Sequence, residues 1–320
     1  MNKLPRLRFA HLPTPVEALP QLSAELQGPH LLVKRDDQTG LALGGNKTRK
    51  LEFLLAEARA NGAQTLITAG AVQSNHCRQT AAAAARYGFK CILVLAGEPP
   101  SVVSGNLLLD HLLGAEIVWA KAQERERILK ETFQTAWDAG RRPYLIPYGG
   151  SNPTGAAAYV FALQELLQQD IDTDWIVFAS SSGGTQAGLV LGARLFGYRG
   201  KVLGISVDEP AVVLKERVAG LANSTADFLG EKIQLRPEDI LVDDRYLGGG
   251  YGVLGEPERE AIALFARSEG LLLDPVYTGR AAAGLVDLIR QGFFPSQQSV
   301  LFWHTGGTPA LFAQRYQNLV

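Results

Sequence analysis

The sequence has few of the residue types that bind metals or form disulfide bonds. Its 320 residues include two cysteines, Cys77 and Cys91, and five histidines. The cysteines form no CxxC motif and no two histidines are spaced as HxxxH, so the sequence predicts no metal site. Two isolated thiols in a chain of this length are typical of a reducing compartment. We therefore expect a cytoplasmic protein whose thiols are both free.

Long apolar runs and an excess of charge of one sign are also missing. The chain has 31 basic and 32 acidic residues, a formal net charge of −1. This balance provides no field that attracts nucleic acid, and no apolar run reaches the ~18 residues that a bilayer span needs. Residues 1–15 contain no continuous apolar core, so we expect no secretion signal. The sequence predicts a protein that binds neither nucleic acid nor membranes.

The sequence is instead rich in apolar strand patterns that alternate with helical ones. A chain of this length suits two domains or one large α/β unit. The predicted strands are apolar throughout, as is usual when helices cover both faces of a parallel sheet. This alternation predicts an α/β protein with an open, doubly wound architecture. The strands are predicted at 31–34, 65–70, 91–97, 116–120, 143–149, 175–181, 201–207, 271–277 and 299–305.

Polar turns follow several of these strands and precede helices. Ligands of doubly wound sheets bind outside the carboxyl ends of the strands, so these turns predict one cleft for a ligand with several polar groups. The turns are LGGNK (43–47), TAGAVQSNH (68–76), ASSSGGTQAG (179–188), DPVYTGRAAAG (274–284) and HTGGTPA (304–310).

The turn SSSGGTQAG has the composition of a phosphate site. Small hydroxyl residues and two glycines before a helix present backbone N–H groups at the positive end of that helix. The turn lacks the GxxxxGK[ST] pattern, so a single phosphate monoester is favoured over a nucleoside triphosphate. A glycine-rich helix cap without a ligand is the alternative.

Two further motifs allow two interpretations each. The segment QSNH, residues 73–76, could cap the next helix or hold a substrate carboxylate at its N-terminus. The segment GYGVLG, residues 250–255, satisfies the dinucleotide pattern GxGxxG and suggests a nicotinamide site as an alternative. However, charged residues precede it and the next helix begins only near Pro257, so a loop is favoured.

The segment GGNKTRKLE, residues 44–52, contains three cations. Lys47 follows the glycines at a predicted ligand turn, and an amine beside a monophosphate site and a carboxylate site suggests pyridoxal phosphate. For Lys50 the sequence favours a solvated or phosphate-steering role, and for Arg49 a surface position. Lys34, followed by Arg-Asp-Asp, is predicted to belong to an ion-pair network.

Five motifs resemble those of the D-cysteine desulfhydrase and 1-aminocyclopropane-1-carboxylate deaminase family. They are GGNKTRKLEFL, TAGAVQSNHCRQTAA, SGGTQAGL, LLLDPVYTGRAAAGL and HTGGTPALF, and the similarity runs in order from about residue 5 to 315. This resemblance implies a pyridoxal-phosphate enzyme of the tryptophan synthase β-subunit fold (fold type II). It further implies a large domain from residues 1–47 and 159–320, a small domain from 48–158, and a homodimer.

The resemblance also implies roles for individual residues. Lys47 would bond to the cofactor and act as the catalytic base, Asn75 would meet the 3′-oxygen of the cofactor, and Thr305 would face the pyridine nitrogen. The phosphate would be held by Ser182, Gly183, Gly184 and Thr185. The amino-acid substrate would be met by Ser74, Asn75, His76, Tyr277 and Thr278, with Ser74 and Tyr277 also catalytic.

Two threonines indicate the substrate within this family. The deaminases resemble this sequence but carry glutamate in place of Thr278 and leucine in place of Thr305. A carboxylate beside the pyridine nitrogen keeps that nitrogen protonated, whereas a neutral hydroxyl does not. With the hydroxyl, the ring withdraws electrons less strongly, and this favours substrates with a good β-leaving group. The resemblance thus implies β-elimination of D-cysteine, and of related D-amino acids such as β-chloro-D-alanine, to pyruvate, ammonia and hydrogen sulfide.

Other activities remain alternatives at this point. Within the family these are 1-aminocyclopropane-1-carboxylate deaminase and L-cysteate sulfo-lyase, which shares the lysine, QSNH and HTGG motifs. Outside it they are a nicotinamide-dependent oxidoreductase and a non-catalytic amino-acid-binding protein.

Overall fold

The chain folds around two separate sheets, which a computed structural model describes for residues 4–319. The strands are β1 Val16–Ala18, β2 His30–Arg35, β3 Thr65–Ala71, β4 Lys90–Ala96, β5 Glu116–Ala120, β6 Pro143–Leu145, β7 Trp175–Ser180, β8 Lys201–Ser206, β9 Leu241–Asp243 and β10 Ser299–His304. The helices are α1 Pro20–Leu26, α2 Asn46–Ala60, α3 Asn75–Tyr87, α4 Gly105–Leu112, α5 Arg125–Asp138, α6 Pro153–Leu167, α7 Gly184–Phe196, α8 Ala211–Leu229, α9 Glu256–Glu269 and α10 Thr278–Arg290.

Both sheets are parallel apart from one edge strand. The large sheet has the order β1-β2-β10-β7-β8-β9, and the small sheet has the order β5-β4-β3-β6. Among the strands of residues 4–319, only β1 is antiparallel to its neighbour, β2. The central strand β10 pairs with β2 on one side and with β7 on the other, although β2 and β10 lie at opposite ends of the chain. The predicted α/β class with two open, doubly wound sheets is confirmed.

Helices cover both faces of each sheet. On the large sheet, one face packs against α6, α7 and α8 through residues such as Leu163 and Leu189, and the other packs against α1, α9 and α10. On the small sheet, α2, α3 and α4 cover one face and α5 covers the other. Burial on both faces explains why the strands are apolar throughout rather than alternating.

The two sheets come from distinct parts of the chain. The small sheet uses strands between residues 65 and 145, and the large sheet uses strands on either side of that stretch. The domain boundaries at 47/48 and 158/159 stay a prediction. Within residues 4–319, no helix has the length and apolar character that crossing a bilayer requires.

Some predicted elements are wrong. The strand predicted at 271–277 is a turn, because the Asp274 carboxylate accepts hydrogen bonds from the N–H groups of Val276, Tyr277 and Thr278. The backbone donors that a strand would offer to a neighbour are therefore used locally. The helix expected after the polar turn 304–310 consists of short 3₁₀ turns, Thr308–Phe312 and Gln314–Leu319.

Candidate active site

A cleft lies where four polar turns meet. These turns follow β3, β6, β7 and β10, and the head of α2 completes the wall. Nine of the predicted site residues line the cleft: Lys47, Ser74, Asn75, His76, Ser182, Gly183, Thr185, Tyr277 and Thr305. Gly184 and Thr278 do not line it.

Lys47 is the second residue of α2, and its side chain lines the cleft. Within residues 4–319, no group accepts a hydrogen bond or forms an ion pair with its amine. Burial lowers the pKa of Lys47 from the ordinary 10.5 to about 8. The amine is therefore easily deprotonated near neutral pH, which suits a nucleophile or a base.

Lys50 lies in the interior, so the solvated role predicted for it is wrong. Its side chain is 1% exposed, and its Nζ donates a hydrogen bond of 3.1 Å to the carbonyl of Gly149. A Cβ added to Gly184 would lie 2.9 Å from this Nζ, so the amine lies close to the first residue of α7. Burial, and then the charge of Lys47, place the pKa of Lys50 well below its ordinary value.

Arg49 is also buried, and its predicted surface position is wrong. Its guanidinium group lies 2.8 Å from Asp36 and 2.9 Å from Glu165, with only 3% of the residue exposed. Lys34 joins the same cluster through a 2.8 Å ion pair with Glu165, which confirms the network predicted for that lysine. Tyr159 adds a hydrogen bond of 2.6 Å to Asp36. We call these five residues the ion-pair cluster.

The turn 181–185 leads into α7 and has the geometry of an anion site. Gly183 has a φ of 85°, a left-handed conformation that other residues adopt only with strain. The side chain of Ser151 accepts from the N–H of Gly184 at 3.2 Å and bonds to the hydroxyl of Ser182 at 2.8 Å. The amide of Asn46 donates to the Thr185 hydroxyl at 3.1 Å. The turn is therefore held in place from the heads of α2 and α6.

The head of α3 has the helix cap considered for QSNH, and it borders the cleft. Ser74 caps the helix by accepting from the N–H of Cys77 at 3.2 Å, and it also lines the cleft. His76 lies 2.9 Å from the hydroxyl of Thr68. Burial, followed by the charges of the two nearby lysines, holds the pKa of His76 well below its usual range, so its ring is neutral.

Two tyrosines form a pair at the cleft. The hydroxyls of Tyr251 and Tyr277 are 2.6 Å apart, and their rings meet edge to face. Burial raises the pKa of Tyr277 well above its ordinary value, so its phenol is protonated at neutral pH. Tyr251 was not identified as a site residue, because its position in GYGVLG carries no signal except glycine spacing. Tyr148 and Gly149, which also line the cleft, were missed for the same lack of signal.

Thr278 lies behind the cleft rather than in its wall. The residue is fully buried, and its hydroxyl donates to the Asp274 carboxylate at 2.8 Å. The same hydroxyl accepts from the N–H of Asp274 at 2.7 Å. These bonds occupy the hydroxyl, so Thr278 shapes the turn that carries Tyr277.

The segment 250–255 does not have the structure of a dinucleotide site. It follows no buried strand, and α9 begins after it, at Glu256. The carbonyls of Gly250 and Val253 accept hydrogen bonds from Arg280 on α10. This loop serves to place Tyr251 beside the cleft.

The charges around the cleft fit a phosphate-bearing cofactor. Among the described residues that line it there is no aspartate or glutamate, whereas Lys47 lines it and Lys50 lies directly behind it. Two buried lysine amines without a carboxylate partner are costly to protonate unless an anion binds there. The buried hydroxyl of Ser180, which has no partner within residues 4–319, is a further unused polar group in the wall. The cleft thus has a site for a dianion and an amine in reach of the same space.

The comparisons with known proteins agree with this chemistry. The model of the family described as "Pyridoxal-phosphate dependent enzyme" matches residues 7–306. The chain belongs to this family, and it is a pyridoxal-phosphate dependent enzyme.

Two similar proteins indicate which members of this enzyme family the chain resembles. The chain is 43% identical to a D-cysteine desulfhydrase of Klebsiella pneumoniae (strain 342), and 44% identical to the one of strain ATCC 700721 / MGH 78578. Each match covers 98% of this chain and 97% of the relative.

Solved structures show the same fold. A crystal structure of an "ACC deaminase homologue" superposes with a TM-score of 0.91 at 38% identity, covering 99% of this chain and 97% of the other. A hydrogen sulfide-producing enzyme from Fusobacterium nucleatum has a TM-score of 0.66 at 14% identity, covering 92% of this chain and 96% of the other. The second likeness shows the fold alone.

Proposed function

We propose that the protein eliminates the β-thiol of D-cysteine. With one water, each D-cysteine gives pyruvate, ammonia and hydrogen sulfide, so the reaction needs no oxidant or reductant. The observation that carries this proposal is the pairing of the Lys47 amine with the protonated Tyr277 phenol in one cleft. The desulfhydrases at 43–44% identity support the choice of substrate.

Several residues would hold the cofactor. When bound, pyridoxal phosphate supplies an aldehyde that bonds to amines and a ring that withdraws electrons from the Cα of an amino acid. The turn of Ser182, Gly183, Gly184 and Thr185 would donate to the phosphate, with the ammonium of Lys50 behind it. Asn75 would donate to the ring oxygen, and Thr305 would face the ring nitrogen.

Lys47 would remove the Cα proton. Its pKa of about 8 leaves a useful neutral fraction near pH 7, and no carboxylate competes for its amine within the described cleft. A base with a pKa near the working pH is the most effective one, and its contribution is typically ~10²–10⁴-fold in rate.

Tyr277 would protonate the departing sulfur. Its phenol holds its proton because burial raises its pKa, and Tyr251 at 2.6 Å fixes the hydroxyl. Tyr251 thereby becomes a positioning residue in this proposal. The substrate carboxylate would lie at the positive end of α3, against Ser74, Asn75 and His76.

The cleft favours a thiol over the other substrates considered. L-cysteate carries a sulfonate in addition to its carboxylate, and among the described lining residues no arginine is present to bind it. Aminocyclopropane carboxylate has no leaving group, and Thr278 occupies the position of the deaminase glutamate, with its hydroxyl bonded to Asp274.

The assembly and domain boundaries belong to the same proposal. By resemblance to the family, we propose a homodimer in the cytoplasm, with a large domain from 1–47 and 159–320 and a small domain from 48–158. The division of the two sheets between these parts of the chain supports the boundaries.

A coupled pyruvate assay tests the substrate. D-cysteine should give a kcat/KM at least ~10-fold above that of L-cysteine, L-cysteate, D-serine and aminocyclopropane carboxylate. Sulfide released in equal amount to pyruvate would identify the β-elimination. A preference for L-cysteate or for the cyclopropane substrate would overturn the assignment while leaving the cofactor chemistry intact.

A further inference from the structure

We propose that Asn106 is a positioning residue, which fixes the end of the Asn75 amide that faces the cofactor. The inference rests on the proposed contact between Asn75 and the cofactor's ring oxygen. Asn106 is the second residue of α4, is fully buried, and does not line the cleft.

The side chain of Asn106 connects two residues that precede or begin α3. Its Nδ2 donates to the carbonyl of Gln73 at 2.9 Å and to Oδ1 of Asn75 at 2.8 Å. Its Oδ1 accepts from Nη1 of Arg78 at 3.2 Å. Its backbone N–H donates to Oε1 of Gln73 at 2.8 Å. All the polar atoms of this amide side chain are therefore engaged.

The chemistry of the neighbours permits only one orientation of the two amides. A guanidinium group has donors alone, so the atom of Asn106 that faces Arg78 must be the oxygen. The carbonyl of Gln73 is an acceptor, so the nitrogen of Asn106 must face it. The atom of Asn75 that meets this nitrogen must then be an acceptor as well. Arg78 thus determines the orientation of Asn75 through Asn106.

The consequence is a hydrogen-bond donor at the cleft. With Oδ1 held by Asn106, the other end of the Asn75 amide is Nδ2, and a Cβ added to Gly307 would lie 2.8 Å from it. This places Nδ2 beside the turn that follows β10, whose Thr305 lines the same cleft. A donor stabilises an oxyanion on the cofactor ring, whereas an amide turned the other way would present an acceptor and repel it.

The same relay reaches the lysine turn. Nη2 of Arg78 donates to the carbonyl of Gly44 at 2.7 Å, three residues before Lys47. Arg78 therefore links the orientation of Asn75 to the backbone that carries the cofactor-binding amine. In this arrangement Asn106 touches no reacting atom and acts through Asn75 alone.

The test is a pH titration of the absorbance of the bound cofactor in Asn106→Asp, without substrate. A carboxylate has nearly the same shape as the amide but cannot donate to Asn75. Loss of the donor destabilises the ring oxyanion, so the bound cofactor should hold its proton about tenfold more tightly. The midpoint of the spectral change should therefore rise by about one pH unit. Asn106→Ala, which adds no charge, should shift it in the same direction.

Two controls separate the possible failures. Asn75→Ala should reproduce the shift, and Asn223→Asp should leave the titration unchanged. Asn223 is a matched control, because its amide also bonds both to a carbonyl and to an N–H, those of Leu235, and it does not line the cleft.

The outcomes are distinguishable. If Asn75→Ala shifts the titration but neither Asn106 variant does, the relay through Asn106 is wrong. If none of the three shifts it, the contact between Asn75 and the ring oxygen is wrong too, and the inference falls with it. The titration uses no amino acid, so it does not depend on which substrate the enzyme prefers. The melting temperature of the cofactor-free variants reports any separate loss of stability.

Discussion

Arg49 and Lys50 are neighbours on α2 and are both buried basic residues, yet their surroundings are opposite. Arg49 lies in the ion-pair cluster, where Asp36 and Glu165 neutralise it. Lys50 lies one residue on, beside Lys47, and no carboxylate pairs with either lysine within residues 4–319. The helix thus has Arg49 paired with carboxylates on one side, and Lys47 and Lys50 without a carboxylate partner on the other.

This difference distinguishes basic residues that stabilise the fold from basic residues that are placed to bind an anionic ligand. Removing one member of a buried pair leaves its partner uncompensated and costs stability. An unpaired buried cation is a cost that the empty protein carries and that a bound anion offsets. The ion-pair cluster should therefore respond to mutation through stability, and the lysine pair through cofactor binding and catalysis.

Lys47→Ala should have the largest effect of any change at the lysine pair. Both the covalent anchor and the base would be lost, so pyruvate formation should fall at least ~10⁴-fold. The purified protein should also lack the absorbance of a cofactor bonded to lysine. Lys90→Ala, at an exposed lysine on β4, is the control and should retain activity. Pyruvate release by Lys47→Ala at an appreciable fraction of the normal rate would refute the role of this residue.

Arg49→Met should have the largest effect on stability. It would leave Asp36 buried without its main partner, at a cost of ~3–5 kcal/mol in the free energy of unfolding. Urea unfolding of the cofactor-free protein measures this. The exposed Arg127, which pairs with Glu124 and Glu131, supplies the control Arg127→Met, which should change stability little. Equal effects from the two variants would contradict the contrast between the two sides of α2.

The stability of the cofactor-free protein should depend on pH through Lys47. Below about pH 8 the amine is protonated in both states, and the folded protein carries the cost of burying it. Between about 8 and 10.5 the folded state has lost this proton and the unfolded state has kept it. Stability should therefore rise across this window by at most ~3 kcal/mol relative to Lys47→Met. A difference between the two proteins that stays constant from pH 7 to 11 would show that the amine is not desolvated.

Lys50→Met should have the smallest effect, and its sign on stability should be opposite to that of Arg49→Met. The cofactor-free protein should be as stable as the wild type or more so, because a buried amine that is costly to protonate and has no carboxylate partner is removed. Its affinity for pyridoxal phosphate should fall by about tenfold or more, since a charge-assisted bond is lost. Equilibrium titration with the cofactor measures this, with Lys90→Met as the control. A less stable protein with unchanged affinity would show that Lys50 stabilises the fold and does not contribute to cofactor binding.

The sequence predicted the part of the structure that depends on local pattern. Apolar strands separated by helical segments identify the architecture. The polar turns contain nine cleft residues, which the resemblance to the family singled out. Arg49 shows the limit, because its partner Glu165 is 116 positions away and no periodicity reveals the pair. The first half of α2 is polar in sequence, yet ten residues of this helix are buried.

The turn 271–277 shows a second limit. Its apolar residues have the pattern of a strand, but the Asp274 carboxylate uses the backbone donors on which a strand depends. Asn106 shows a third limit. It is a lone polar residue at the start of a helix, and only the arrangement of Arg78, Gln73 and Asn75 around it gives it a role.

The position of β10 has a consequence for synthesis. This strand, Ser299–His304, is inserted between β2 and β7, so the large sheet stays divided until residue 304 has been made. The small sheet, by contrast, has all its strands once residue 145 has emerged. Thr305 follows β10 directly and lines the cleft. The cleft is therefore completed when β10 joins the two parts of the large sheet. A ribosome-bound chain thus gains its complete cofactor site only after residue 305 has emerged.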